Sequence, residues 1–97
     1  MMKNLTPFDM SEYLDSPEAI AEYIAQVLEE GDQDELFRAI GHVAKAKGMT
    51  QIAKTTGLGR ESLYKAFSPG SVPKFDTVIK VMDSLGLKLT AKVSAIA

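Results

Sequence analysis

The sequence predicts an all-α protein of five helices that ends in a short C-terminal β-strand. Apolar residues recur at helical spacing in five segments, and a glycine or a Ser-Pro-Gly turn follows each of them. Only the tail alternates apolar and polar residues with period two. The 97 residues are enough to enclose one hydrophobic core, so we expect a single domain over 1–97. Its expected parts are an acidic helical segment (1–31), a helical core (32–86) and a strand or tail (87–97).

The first two helices carry capping signals. Ser16 is a suitable N-cap, and Pro17 fits the first helical position, where its missing N–H costs no hydrogen bond. Asp32 opens the second helix, and Glu35 completes a variant of the capping box. The apolar faces comprise Ile20, Tyr23, Ile24, Val27 and Leu28 in the first helix and Leu36, Ile40, Val43 and Ala44 in the second, with Gly31 and Gly48 as end signals.

Three further helices follow. Two short ones are predicted at 50–56 and 60–67, ended by Gly57 and by the turn at 68–70. The fifth begins after Pro73, and Gly86 closes it; its apolar stripe is Phe75, Val78, Ile79, Met82 and Leu85.

The tail at 87–93 alternates apolar and polar residues, as expected of a strand with one face in water. A lone strand leaves unpaired backbone groups. This strand therefore either pairs with its twin in a dimer or is an end that merely covers the core.

Charge is distributed unevenly along the chain. Residues 1–40 hold ten acidic and two basic groups, a net charge of −8, whereas residues 41–97 hold nine basic and three acidic groups, a net charge of +6. Two halves of opposite net charge indicate two binding partners of opposite charge, such as nucleic acid and a basic protein. Alternatively, the charges are scattered for solubility alone. No cysteine, long apolar run or signal-peptide core is present, so we expect a cytoplasmic protein without disulfides or membrane spans.

Nothing in the sequence indicates an enzyme or a cofactor. The only histidine, His42, has no cysteine or second histidine with which to share a metal. The acidic residues Asp32, Asp34 and Glu35 cluster at a helix N-terminus, where the helix dipole favours them. We therefore expect no catalytic residue, no metal and no cofactor.

The segment from Met49 to Phe67 has the pattern of a helix-turn-helix. Ala53 allows close approach of two helices, and Gly57, four residues later, tolerates the positive φ of a tight turn. Leu58 and Leu63 then fill the angle between the helices. A helical hairpin with a glycine turn can match the same pattern.

The second helix of this segment begins with side chains suited to a major groove, and the first begins with side chains suited to phosphates. The candidate DNA-binding residues are Arg60, Glu61, Ser62, Tyr64 and Lys65 for the groove and Thr50 and Gln51 for phosphates, with Lys45, Lys47, Lys54 and Lys74 around them. Alternatively, these are simply exposed polar positions on a helical bundle.

The run from Leu36 to Gly48, the helix-turn-helix segment and above all Arg60–Ala66 resemble the addiction-module antidote family. These are HigA-like antitoxins of the lambda-repressor-like superfamily. Further similar stretches are Phe8-Asp9, Tyr13-Leu14, Phe75-Asp76-Thr77-Val78 and Leu85-Gly86-Leu87. The sequence departs from the family at Gly70–Pro73, where a longer loop replaces a tighter turn.

The resemblance implies an antitoxin that neutralises a basic RelE/ParE-like toxin from its own operon and represses that operon by binding its promoter DNA. We expect a homodimer, because one short recognition helix reads few base pairs. The candidate toxin-facing residues, within the acidic N-terminal segment, are Phe8, Tyr13, Glu18, Glu22 and Glu29. This segment could instead simply pack on the domain and expose its acidic face to water. Two alternative functions stay open: a prophage-type regulator without a toxin, and a protein-interaction module that has lost DNA binding.

Overall fold

The structure, a computed structural model, describes residues 16–95, and the regular secondary structure within them consists of α-helices alone. Within them lie five helices: α1 (Pro17–Glu30), α2 (Gln33–Lys47), α3 (Met49–Thr56), α4 (Arg60–Ala66) and α5 (Phe75–Ser84). The prediction of five helices is confirmed. The observed ends differ from the predicted ones by only one or two residues, because glycines and capping side chains mark them in the sequence.

The predicted N-caps of α1 and α2 are present. The Ser16 hydroxyl accepts a hydrogen bond from the Ala19 N–H at 3.1 Å, and an Asp32 carboxylate oxygen accepts one from the Glu35 N–H at 3.2 Å. Gly31, between the two helices, has a φ of 79°, the left-handed conformation that glycine adopts without strain. A tight corner therefore joins α1 to α2.

The helices pack around one cluster of buried apolar side chains, and α3 lies centrally, against α2, α4 and α5. Helix α1 packs on α2. The cluster contains Ile20, Ile24, Val27, Ala39, Ile40, Val43, Ala44, Met49, Ile52, Leu63, Phe67, Val78, Val81, Met82, Leu85 and Leu87. No polar or charged side chain is buried among the described residues. Burial of apolar surface is therefore what holds the helices together.

The predicted C-terminal strand is wrong for the described tail: residues 87–95 form no strand. A period-two pattern becomes a strand only where a neighbouring strand takes up its backbone hydrogen bonds, and residues 16–95 supply none. Instead, the Leu87 N–H donates to the Met82 carbonyl at 3.0 Å, and the Leu87 side chain is buried in the core. Further on, Lys92 forms an ion pair with Glu29 of α1 at 3.5 Å. The tail thus runs back across the helices.

Leu28 also departs from expectation. The helical pattern places it on the buried face of α1, but its side chain is half exposed. It lies at the edge of that face, beside an open groove lined by Leu36 and Phe37 of α2.

Within residues 16–95, no helix combines the length and the apolar character needed to cross a membrane.

Candidate nucleic-acid interface

A tight turn joins α3 to α4. Gly57 has a φ of 78°, and its N–H donates to the Ala53 carbonyl at 2.9 Å. The Thr56 hydroxyl donates to the Ile52 carbonyl at 2.8 Å and accepts from the Leu58 N–H at 3.2 Å. A Cβ at Gly57 would meet nothing within 4 Å, so the turn requires glycine for its backbone conformation and not for space. These hydrogen bonds fix the orientation of α4 relative to α3.

Two buried side chains anchor α4 to the rest of the protein. Ile52 of α3 is 2% exposed and Leu63 of α4 is 1% exposed. Ala53 and Leu58 are partly buried and pack against the same cluster. Because Leu63 faces inward, the residues on either side of it face the solvent.

The end of α4 is held by a close approach that the sequence analysis missed. A Cβ built on Gly41 of α2 would lie 3.1 Å from the Cβ of Phe67, tighter than an ordinary contact. The buried Phe67 side chain therefore packs so close to Gly41 that a larger residue at position 41 would have to displace it. A glycine inside a helix, where it lowers helix propensity, was the available signal.

The five candidate groove-contacting residues of α4 are all exposed. They form what we call the α4 face: Arg60, Glu61, Ser62, Tyr64 and Lys65. It carries two cationic side chains and one anionic side chain. The structure therefore brings these five predicted residues together on a helix of seven residues.

Tyr64 lies between two cations from different helices. The Lys45 ammonium is 5.7 Å from the centroid of the Tyr64 ring, and the Arg60 guanidinium carbon is 5.9 Å from it. Both distances lie within the range of cation–π attraction, about 0.5–1 kcal/mol at exposed sites. Lys45, in the last turn of α2, thus joins the α4 face directly, whereas the sequence placed it only in the basic surroundings.

Thr50 and Gln51 are exposed in the first turn of α3. No side chain caps this helix, so its first N–H groups have no side-chain acceptor. The Gln51 amide donates to the Thr55 hydroxyl at 3.3 Å, a contact one turn along the same helix. The N-terminal end of α3 therefore offers exposed polar side chains and backbone N–H donors, which suit an anion.

His42 adds no positive charge near neutral pH. Partial burial lowers the pKa of His42 below its ordinary value, and the charges of Lys45 and Arg38 lower that pKa further. Among residues 16–95, no group of three or more His, Cys, Asp or Glu side chains could hold a metal.

The candidate toxin-facing residues divide into two sets. Glu18, Glu22 and Glu29 are exposed on α1, and their spacing of four and seven residues places them on one side of the helix. We call this set the acidic stripe. Glu29 pairs with Lys92. Phe8 and Tyr13 lie outside the described residues.

The fold and these surfaces define a small helical protein with a cationic face on α4 and an acidic stripe on α1. The sequence matches, over residues 4–93, the family described as "Probable addiction module antidote protein", and the chain belongs to that family. It is also 40% identical over 97 residues to an uncharacterized protein of Haemophilus influenzae (strain ATCC 51907 / DSM 11121 / KW20 / Rd), covering 100% of both chains. No solved structure matches the chain significantly.

Family membership confirms the coarser part of the resemblance seen in the sequence: an addiction-module antidote, that is, an antitoxin with a toxin as its counterpart. The description of the family is that of a regulatory protein.

Proposed function

We propose that this protein is a DNA-binding antitoxin of the HigA-like kind. It neutralises a basic RelE/ParE-like toxin and, as a homodimer in the cytoplasm, represses its own operon through a lambda-repressor-like helix-turn-helix formed by α3 and α4. One observation carries the DNA-binding part: all five residues of the α4 face are exposed, while the buried Leu63 side chain anchors the other side of the helix in the core.

In this proposal α4 is the recognition helix. Arg60, its first residue, would donate paired hydrogen bonds to guanine, while Glu61 would accept from cytosine. The Tyr64 ring beneath the Arg60 guanidinium restricts its rotamers before DNA arrives. Less side-chain entropy is then lost on binding.

Phosphates would be held on both sides of the groove. Thr50 and Gln51 supply side-chain donors at the start of α3, and Lys45 supplies a charge next to Tyr64. Contacts from α3 and from α2 would fix the orientation of α4 in the groove.

A homodimer follows from the size of the reading element. Helix α4 has seven residues, about 10 Å of helix, and such a length contacts only a few base pairs. Two copies related by a two-fold axis would read two half-sites about one DNA turn apart.

The acidic stripe is the proposed docking site for the toxin, together with Phe8 and Tyr13. Exposed carboxylates on one side of α1 attract a basic partner and accelerate association. Family membership supports a toxin partner in general, and it favours this proposal over a prophage-type regulator without a toxin.

The test is a titration of the full chain against fluorescent DNA from upstream of its own gene, with a scrambled duplex as control. We expect preferential binding of the upstream duplex, and an affinity that falls about 10³-fold between 50 and 200 mM salt if about six phosphates are contacted. Equal binding of both duplexes would refute sequence recognition. No binding to either at micromolar protein and low salt would favour the protein-interaction module.

A further inference from the structure

An apolar groove of about 380 Å³ lies away from the α4 face. One wall comes from the corner between α1 and α2, and the other from the loop before α5, from α5 itself and from the tail. The first wall includes Leu28, Leu36 and Phe37, and the second wall includes Val72, Phe75 and Leu89. None of the residues that line the groove belongs to α3 or α4.

The second wall exposes unusually large apolar side chains. Phe75 is 73% exposed and Val72 is 69% exposed. Pro73, between them, is buried, and Val78 is buried one turn into α5, so the backbone that presents the two side chains is anchored. Single exposed apolar residues are ordinary, but several around one groove indicate an interaction surface.

The residues that flank the two walls in the sequence differ in net charge. Glu29, Glu30, Asp32, Asp34 and Glu35 stand within two residues of the first wall, together with one cation, Arg38. The second wall is flanked by Lys74, Lys80 and Lys88 and by Asp76 and Asp83, and Lys80 pairs with Asp76. We call Glu30, Asp32 and Asp34 the acidic rim and Lys74 and Lys88 the basic rim; these five residues are exposed, and none of them forms an ion pair within residues 16–95. A single copy thus leaves an acidic rim and a basic rim unmatched.

We propose that this groove is the interface of a homodimer, in which Phe75 of each copy enters the groove of the other. The proposal rests on the homodimer of the proposed function and assigns its surface. In this dimer the acidic rim of one copy meets the basic rim of the other. A two-fold axis repeats that contact with the two copies exchanged, so all four rims are matched. A basic toxin would match the acidic rim only and would be repelled by Lys74 and Lys88. Charge complementarity on both sides therefore selects a second copy.

This interface suits DNA binding because it leaves the α4 face exposed. The loop that carries Val72 follows directly after α4, so the dimer contact is linked to the recognition helix by a few residues. Pairing the grooves would fix the distance between the two α4 helices, and with it the spacing of half-sites.

The first experiment is sedimentation equilibrium of the full chain over a range of concentrations. We expect the wild type to dimerise, and Phe75→Glu to raise the dimer dissociation constant at least about 100-fold, because it buries a carboxylate among apolar side chains. Val93→Glu is the matched control: Val93 is 88% exposed and does not line the groove, so this variant should dimerise like the wild type. Circular dichroism checks that both variants are folded.

The second experiment reverses each rim. Glu30→Lys/Asp34→Lys changes the net charge of the acidic rim from −3 to +1 and keeps the N-cap Asp32. Lys74→Glu/Lys88→Glu changes the net charge of the basic rim from +2 to −2. Each variant alone should therefore be monomeric. Mixed in equal amounts, the two should form a heterodimer, because each rim again meets its opposite.

Four results would overturn the proposal: a wild type that stays monomeric at high concentration, a Phe75→Glu dimer of unchanged affinity, reversed variants that each dimerise alone, or a mixture that stays monomeric. If Phe75→Glu remains dimeric but loses a co-expressed toxin, the groove belongs to the toxin instead. A wild type that dimerises through the groove without binding DNA would refute the proposed function and leave the interface standing.

Discussion

Arg60 lies over the ring of Tyr64, one helical turn further along α4, with its guanidinium carbon 5.9 Å from the ring centroid. The Lys45 ammonium approaches the same ring from α2 at 5.7 Å. One aromatic side chain therefore gathers cations from two helices that are separate in sequence. Under the proposed function, this ring positions both cations toward DNA.

Replacing Tyr64 should weaken DNA binding without unfolding the protein. Tyr64→Ala removes the ring that orders Arg60 and Lys45, and we expect a loss of about 1 kcal/mol of binding free energy, roughly fivefold in affinity. Tyr64→Phe keeps the ring and serves as the control. Fluorescence anisotropy against the upstream duplex measures both variants. Equal affinities for Tyr64→Ala and Tyr64→Phe would show that the ring has no positioning role.

Arg60→Ala should cost about 1–3 kcal/mol in binding to the preferred site and relax specificity at one base pair. The sequence offers a charge-matched control in Arg38, which is exposed on α2. Arg38→Ala removes the same charge and should keep the base preference. Binding to a panel of single-base variants of the operator makes the comparison. An unchanged base preference in Arg60→Ala would refute its role in reading bases.

Enlarging Gly41 should destabilise the fold. Gly41→Leu introduces a better helix former, but its side chain must displace Phe67, and we expect a net cost of about 1–3 kcal/mol in the free energy of unfolding. Gly59→Ala is the control, since its Cβ would meet only the Ser62 hydroxyl, at 3.8 Å. Urea denaturation followed by circular dichroism gives both values. A Gly41→Leu variant as stable as the wild type would show that the contact with Phe67 relaxes freely.

Stability should depend on the protonation of His42. Because the pKa of His42 is lower in the folded protein than its ordinary value of 6.5, the unfolded chain binds the proton first as the pH falls. The contribution of His42 is therefore complete above about pH 6.5 and is lost as the pH falls through the folded pKa. His42→Gln, which cannot take up this proton, should lose less stability between pH 7.5 and 5.5 than the wild type does. Urea denaturation at each pH tests this, and an identical loss in both proteins would contradict it.

Charge reversal on the acidic stripe should weaken the complex with the toxin. Glu18→Lys and Glu29→Lys should each reduce affinity about threefold, and more strongly at low salt, since exposed ion pairs contribute little and are screened. Asp83→Lys makes the same charge change on α5 and should leave the affinity unchanged. Surface plasmon resonance with the co-expressed toxin provides the measurement. If all three variants lose affinity equally, net charge and not the stripe governs binding.

Residues close together in sequence proved sufficient to place the helices. Ser16 and Asp32 cap α1 and α2 as expected, and Gly57 makes the turn before α4, because each acts on backbone groups within about four residues. The exposed α4 face was also foreseen, since helical spacing leaves the positions around Leu63 on the outside.

The prediction failed where a distant partner decided the outcome. The alternating tail contains strand-like residues, but a strand needs a neighbouring strand, and the described chain offers none. Leu28 fits the apolar face of α1, yet it lies at the edge of a groove that depends on where α2 and α5 sit.

The sequence by itself determined the helices, their caps and the separation of charge, all of which depend on short-range backbone bonding and on composition. Only the tertiary structure decided that Lys45 meets Tyr64, that Gly41 makes room for Phe67, and that an apolar groove opens between the α1–α2 corner and α5. The physical reason is that packing joins residues far apart in the chain, and the side chains that will touch are selected by the shape of the whole core.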